Sequence, residues 1–253
     1  MDLLRQNSEL RRDRVWNWTL PAWYVRLEGK IFKTCPNAGV CAQFCYARNG
    51  TYLFSNVQAA HLANLELARD RPEEFLDRIS KELRHRAFRW TGRPRAFSES
   101  APLVRDAWSI NWRLKGGAAV RIHDSGDFFS ENYYRIWIEI ARRFPRVLFY
   151  AYTKEVSMTK RLFADGSQPR NLRIIFSKGG LEDHLIDDEV DRHADVFPSL
   201  EALEAAGYTD QAESDLLAVM LETNRIGIVA NNISHFRKKQ GSETFGSMAK
   251  RRD

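Results

Sequence analysis

Short apolar runs alternate with helically spaced segments along this chain, and the alternation predicts a fold class. Ala118 to Ile122 (AAVRI), Val147 to Tyr152 (VLFYAY), Leu172 to Phe176 (LRIIF) and Ile226 to Ala230 (IGIVA) are continuous apolar stretches. Strands buried on both faces read that way, whereas half-solvated strands alternate. Asn56 to Arg69 is rich in Ala and Leu at helical intervals. The next segment opens on Pro72, Glu73 and Glu74 and continues through Phe75, Ile79 and Leu83, which predicts a helix start. Ala101 to Leu114 predicts a further helix, stopped by Gly116-Gly117. Ser130 is placed to cap a helix that carries Tyr134, Trp137, Ile138 and Ala141 and ends at Pro145. Trp23 to Phe32 (WYVRLEGKIF) reads as a strand or hairpin. Strand, polar loop and helix in this order predict an α/β fold: a mostly parallel sheet with helical crossovers.

In such sheets ligands bind at the carboxyl ends of the strands. AAVRI is followed by His123-Asp124-Ser125-Gly126-Asp127, and VLFYAY by Thr153-Lys154. LRIIF is followed by Ser177-Lys178-Gly179-Gly180, and IGIVA by Asn231-Asn232 and then Ser234-His235. Any one of these runs has ordinary turn composition. Four in register predict a ring of polar groups around a shared site.

The chain's three cysteines, Cys35, Cys41 and Cys45, all lie in one stretch, TCPNAGVCAQFCYAR. Clustered thiols point to a metal or an iron–sulfur cluster. Three thiolates can hold three irons of a [4Fe–4S] cube and leave the fourth open to another ligand. A disulfide would strand one thiol. Zinc with His61 or His123 as fourth ligand, and inert thiols, are the alternatives. Cys41 and Cys45 are four apart, so one helical turn would put both on one face. Cys35 would fold over across Pro36 and the slim Ala38-Gly39. Phe44 is placed to shield a cluster, stack on a planar ligand or simply pack. No second cysteine group exists for an auxiliary cluster.

Composition adds bounds. At 253 residues and 43% hydrophobic, the chain can bury a sizeable core. A net charge of +6 permits a nucleic-acid partner without demanding one. Basic residues gather at Arg11, Arg12 and Arg14, at Arg84, Arg86, Arg89, Arg93 and Arg95, at Arg237, Lys238 and Lys239, and at Lys250, Arg251 and Arg252. The polar start MDLLRQNSELRRDR lacks a secretory pattern, and no run of apolar residues is long enough to span a membrane. A cytoplasmic location with reduced thiols is the expectation. The expected organisation is a basic extension over 1–22, an α/β domain over 23–236 and a basic tail over 237–253.

A three-cysteine loop near the first strand, an aromatic just before the third cysteine and a string of βα units resemble the radical SAM superfamily. More closely, TCPNAGVCAQFCYAR, VRIHDSGDFFSENYYRIW and FYAYTK resemble the phage and plasmid family known as gene product 88, over roughly Tyr24 to His235. The resemblance implies a radical SAM-like partial (β/α) barrel of mostly parallel strands with additional helices. It implies Cys35, Cys41 and Cys45 as ligands of a [4Fe–4S] cluster, with S-adenosylmethionine chelating the fourth iron and cleaved on reduction to a 5′-deoxyadenosyl radical. Phe44 would lie beside the adenine. Ser125-Gly126-Asp127 would occupy the place of a Gly-Gly-Glu-like run that binds the methionine amine. Thr153, Lys154 and Ser177 would hold ribose and carboxylate, with Asn231 a weaker candidate. The spacing of five residues and then three departs from the superfamily's usual three and two. An electron donor such as flavodoxin or ferredoxin is the implied partner. The other expectation is a SAM-independent iron–sulfur or zinc protein of a mobile element that binds or processes nucleic acid through its arginine-rich segments. Neither the substrate nor a catalytic residue follows from the sequence.

Overall fold

A computed structural model describes residues 3–88, 118–231 and 233–251. The helix expected over 101–114 with its Gly116-Gly117 stop, and Arg89, Arg93, Arg95, Asn232 and Arg252, lie outside the described residues. In chain order the strands are β1 (Val15–Trp18), β2 (Tyr24–Leu27), β3 (Lys30–Lys33), β4 (Ala119–Ile122), β5 (Leu148–Thr153), β6 (Leu172–Ser177), β7 (His193–Phe197), β8 (Thr209–Asp210) and β9 (Arg225–Val229). Seven of them form one sheet in the order β1-β4-β5-β6-β7-β9-β8. Every neighbouring pair in it is parallel. The expected parallel α/β sheet is therefore present, with β1 and β8 at its edges. WYVRLEGKIF resolves as a hairpin: β2 and β3 pair antiparallel as a separate ribbon. Its turn places Glu28 at φ 50° and Gly29 at φ 78°, the left-handed pair that a tight hairpin needs.

The helices among the described residues are α1 (Ser8–Arg12), α2 (Ser55–Asp70), α3 (Pro72–Leu83), α4 (Glu131–Arg143), α5 (Val156–Leu162), α6 (Leu200–Ala205), α7 (Leu217–Met220), α8 (Ser234–Gln240) and α9 (Phe245–Lys250). The predicted starts hold: Pro72 occupies the first turn of α3, and the Ser130 side chain accepts the Tyr133 N–H at the head of α4. No helix among the described residues is long and apolar enough to cross a membrane.

Alternation along the strands sorts side chains onto two faces. Val120, Ile122, Phe149 and Ala151 join Leu65, Phe75, Ile79, Tyr133 and Trp137 from α2, α3 and α4 in the main core. Ala119, Leu148, Tyr150, Ile175 and Ile226 face α7 and Leu10 on the other side. Burying each large apolar side chain contributes about 1.5–3 kcal/mol, so the sheet is anchored from both faces. Within the main core the Trp18 indole N–H donates to the Tyr133 hydroxyl at 2.8 Å, which also meets His123 Nε2 at 2.8 Å, whereas Trp137 Nε1 and His123 Nδ1 have no hydrogen-bond partner among the described residues.

Three segments add to the expected pattern. The N-terminal stretch expected to be an extension carries α1 and β1, and β1 pairs with β4 at the sheet edge. The basic C-terminal stretch forms the end of α8 and all of α9, with Phe245 and Ala249 buried. β7 was hidden by its buried polar residues His193 and Asp195.

Asn171 joins α4 to β5, its amide donating to the carbonyls of Ala141 (2.9 Å), Phe144 (3.0 Å) and Val147 (2.9 Å). Asn171→Ala leaves these acceptors without their donor and is expected to lower unfolding free energy by about 1–3 kcal/mol in urea denaturation. An unchanged midpoint would remove Asn171 from the joint.

Candidate functional site

The crossover from β1 to β4 carries the cysteines. After β3 the chain makes three short 3-10 turns, Gly39–Gln43, Tyr46–Arg48 and Gly50–Leu53. Cys41 lies inside the first, and Cys45 is extended at φ −67°, ψ 107°. One α-helical turn was expected to carry both; the extended Cys45 breaks it.

Backbone hydrogen bonds stitch this loop to the carboxyl ends of the strands. The Cys35 N–H donates to the Trp23 carbonyl at 3.1 Å, and the Cys41 N–H to the Gly179 carbonyl at 3.1 Å. The Asp127 N–H donates to the Thr34 carbonyl at 2.9 Å, and the Leu181 N–H to the Asn37 carbonyl at 3.1 Å. Glu155 accepts the Asn37 N–H at 3.1 Å and its amide at 2.9 Å. Gly39 sits at φ 51°, where a Cβ would come within 2.7 Å of the Gly179 oxygen, so only glycine permits this approach.

The polar strand ends meet there. Asp127 accepts the Thr153 hydroxyl at 2.6 Å and the N–H groups of Phe128 (2.8 Å) and Lys154 (2.9 Å). Lys154 Nζ donates to Ser177 Oγ (2.7 Å) and to the carbonyls of Ser177 (2.9 Å) and Lys178 (3.3 Å). Asp183 accepts the N–H groups of Gly179 and Gly180 at 2.7 and 2.8 Å. Thus Asp127, Thr153, Lys154 and Ser177 come together in one hydrogen-bonded chain. Glu155, Asn37 and Asp183 join them, and the adjacency of Glu155 to Thr153-Lys154 was the signal available for it.

The three thiols are free and half-buried. Burial, then the charge of Asp127 and of Cys41, pushes Cys35 well above the ordinary thiol range. Burial and then Cys41 push Cys45 up to about 11, against Arg48 and Lys154. Burial and then Asp127 push Glu155 up to about 8. The thiols, Asp127 and Lys154 therefore share one electrostatic neighbourhood. Among the described residues, no three His, Cys, Asp or Glu side chains are grouped closely enough to hold a metal ion.

Other expected site residues are turned elsewhere. Ser125 Oγ donates to the Leu20 carbonyl at 2.5 Å, and the Leu20 N–H donates to the Ser125 carbonyl at 3.0 Å. Gly126, at φ 86°, lies so close to Leu20 that a Cβ would meet its Cβ at 2.6 Å. This pair braces the loop after β1. Phe44 is buried, its ring 5.0 Å from that of Phe245 and 5.8 Å from that of Phe236. His123 lies in the main core, bonded to Tyr133. His61 lies beside Tyr52, with ring centroids 5.9 Å apart. Asn231 and His235 are exposed.

A second polar network escaped the sequence reading. Arg121 pairs with Asp215 at 3.3 Å and Asp124 at 3.7 Å. Tyr150 donates to Asp215 at 2.5 Å, Tyr52 to the Asp124 carboxylate at 2.5 Å, and Tyr46 to the Asp124 carbonyl. A lone arginine inside the apolar run AAVRI was the signal.

A sequence model described as gene product 88 matches residues 1–252. Among curated proteins, the Gene 88 protein of Mycobacterium phage D29 is 30% identical over 146 residues, 57% of this chain and 51% of the relative. The Gene 88 protein of Mycobacterium phage L5 is 31% identical over 146 residues, 57% of this chain and 52% of the relative. The match thus spans about half the length of these relatives. No solved structure matches.

The geometry predicts an acid limb of stability. Burial, then the charge of Arg121, lowers His123 to about 3. The unfolded chain gains this proton below about pH 6.5. The depressed folded value therefore contributes stability that is complete above about pH 6.5 and is lost as pH falls toward 3. His123→Asn, which tolerates the observed φ of 69°, is expected to flatten the slope of unfolding free energy between about pH 6 and 4 by roughly 1 kcal/mol per pH unit. Identical slopes in parent and variant would refute the assignment.

Proposed function

The chain belongs to the gene product 88 family, and from that premise and the geometry of its cysteine loop we propose that it is an iron–sulfur protein, a radical SAM-like enzyme. In this reading Cys35, Cys41 and Cys45 would hold a [4Fe–4S] cluster, with S-adenosylmethionine as its further ligand. The observation that carries it is that one short loop brings three free thiols within electrostatic reach of one another, with Asp127 acting on Cys35, Lys154 on Cys45, and the Cys41 N–H bonded to the Gly179 carbonyl after β6. A partial (β/α) barrel is the finer form of the parallel sheet that this reading calls for.

The donor set suits such a cluster. It is all sulfur, which favours soft metals over hard cations. Burial resists ionisation of Cys35 and Cys45, so stable thiolates there call for a bound cation. A zinc ion with bonds of about 2.3 Å would draw tetrahedral sulfurs to roughly 4 Å from one another. A cluster would instead spread its three sulfurs over separate irons; no three His, Cys, Asp or Glu side chains among the described residues are placed to hold a metal ion, so either group would require the thiols to draw together. When bound, the cluster and S-adenosylmethionine supply one-electron cleavage of the sulfonium and so hydrogen abstraction. The chain's own residues hold and orient. Lys154 is buried with its three N–H groups given to Ser177 Oγ and the Ser177 and Lys178 carbonyls, so it would act on a methionine carboxylate through its positive charge. Thr153 and Asp127 fix the end of β5. A flavodoxin- or ferredoxin-like donor would supply the electron.

A SAM-independent iron–sulfur role gains from one observation. Asp127 already accepts three hydrogen bonds, and Ser125 is bonded to Leu20, so the predicted amine-binding run is engaged internally. In that reading the exposed Arg237, Lys238, Lys239 and Arg251 would meet nucleic acid.

Anaerobic purification is expected to give about four irons and four sulfides per chain. Cys→Ser at position 35, 41 or 45 is expected to abolish the visible absorption. Zinc or no metal in the parent protein would sink the proposal. With dithionite, the loaded protein is expected to form 5′-deoxyadenosine from S-adenosylmethionine. Lys154→Ala is expected to weaken that ligand by about 10- to 100-fold. Iron loading without 5′-deoxyadenosine or a spectral response to S-adenosylmethionine would leave the SAM-independent role. Salt-sensitive binding of DNA or RNA would then support its nucleic-acid form.

A further inference from the structure

We infer that the chain's last two helices form a strap that gates access to the cysteine loop and is closed in this structure. The strap folds back from β9 and lays α9 against the Gly39–Gln43 turn and the end of β7. There Val40, Phe44, Phe245 and Ala249 make an apolar cluster separate from the two sheet cores, flanked by Val196, Phe236 and Met248. The Phe245 and Phe236 rings cover Phe44, and Lys239 Nζ stands 5.2 Å over the same ring.

The latch is specific. The Gly246 N–H donates at 3.0 Å to Asp195, a carboxylate only 5% exposed that also accepts the Val196 N–H at 2.8 Å. A Cβ at Gly246 would lie 2.7 Å from Asp195 Oδ2, so glycine is what lets α9 close. Gln240 adds a bond from its amide to the Val196 carbonyl at 3.2 Å. Between the helices, Gly241 has φ 61°, and a Cβ there would meet no neighbour within 4 Å, which suits a hinge. A small satellite cluster with few anchoring bonds opens at lower free energy than the sheet it covers. Opening would turn Phe44 and the turn that carries Cys41 and leads to Cys45 toward solvent. Cys35 is held from the other side, by Trp23 at the foot of the hairpin. The inference rests on contacts within the chain and stands whether or not the thiols take a cluster.

The test is alkylation of the full-length, reduced, chelator-treated chain by iodoacetamide, read at each cysteine by mass spectrometry. Phe245→Ala and Gly246→Val are expected to accelerate labelling of Cys41 and Cys45 by at least about ten-fold, with Cys35 unchanged. Unchanged rates overturn the strap, and so does equal acceleration of all three thiols, which would mark general loosening. Hydrogen exchange of the unsubstituted chain keeps the test open if the variants fold poorly. Amides of 241–251 are expected to exchange faster than those of β5 and β7, and equal protection overturns the inference. Neither readout depends on iron or S-adenosylmethionine, so failure of the strap and failure of the cluster assignment are separable.

Discussion

One buried carboxylate organises the neighbourhood of the thiols. A charge placed away from water persists only where donors surround it. Asp127 gathers its donors from two strand ends, the Thr153 hydroxyl and Lys154 N–H of β5 and the Phe128 N–H of its own loop. Its backbone N–H simultaneously holds the Thr34 carbonyl, one residue before Cys35. The residue that this acid anchors at the strand ends thus also holds the loop, through its backbone N–H. The same charge has two electrostatic consequences. It adds to burial in raising Cys35, and it adds to burial in raising Glu155, the residue that grips Asn37 across the loop. The cysteine loop is braced by acids while Lys154 opposes them, so removing any member shifts the others.

Much of the fold was legible because parallel strands buried on both faces leave continuous apolar runs, and because Pro72 and Ser130 mark helix starts by local chemistry. What escaped was decided by distant partners. β7 contains His193 and Asp195, which look like loop residues until Tyr208 and Gly246 supply their hydrogen bonds. β1 contains Asn17 and follows a run of arginines, yet its register with β4 builds it into the sheet. At the site, the contacts of Lys154 with Ser177 and of Asp127 with Thr153 could be foreseen, since ends of neighbouring parallel strands must lie side by side. The inward turn of Ser125 and Gly126 could not, because it depends on Leu20, over a hundred positions earlier in the chain. Phe44 likewise reads as a stacking platform until Phe236 and Phe245 return from the far end of the sequence.

The Arg121 network bears on the thiols through one side chain. Buried ion pairs are weak sources of stability, since desolvation offsets most of their attraction. Arg121, Asp124 and Asp215 would be an expensive way to fill a sheet face that Ala119, Leu148 and Ile175 occupy with apolar atoms. Their arrangement nonetheless fixes Tyr46, whose hydroxyl is bound to the Asp124 carbonyl and whose backbone directly follows Cys45. Asp124 in turn lies in the same loop as Asp127, three residues earlier. The third thiol is thus held from below by the Tyr46 anchor and faced by Lys154, while the first is held by the Thr34–Asp127 bond. Both tethers begin at backbone groups of the loop after β4, the Asp124 carbonyl for Tyr46 and the Asp127 N–H for Thr34. That shared origin ties the first and third cysteines to one loop, while the second is held by the Gly179 carbonyl after β6.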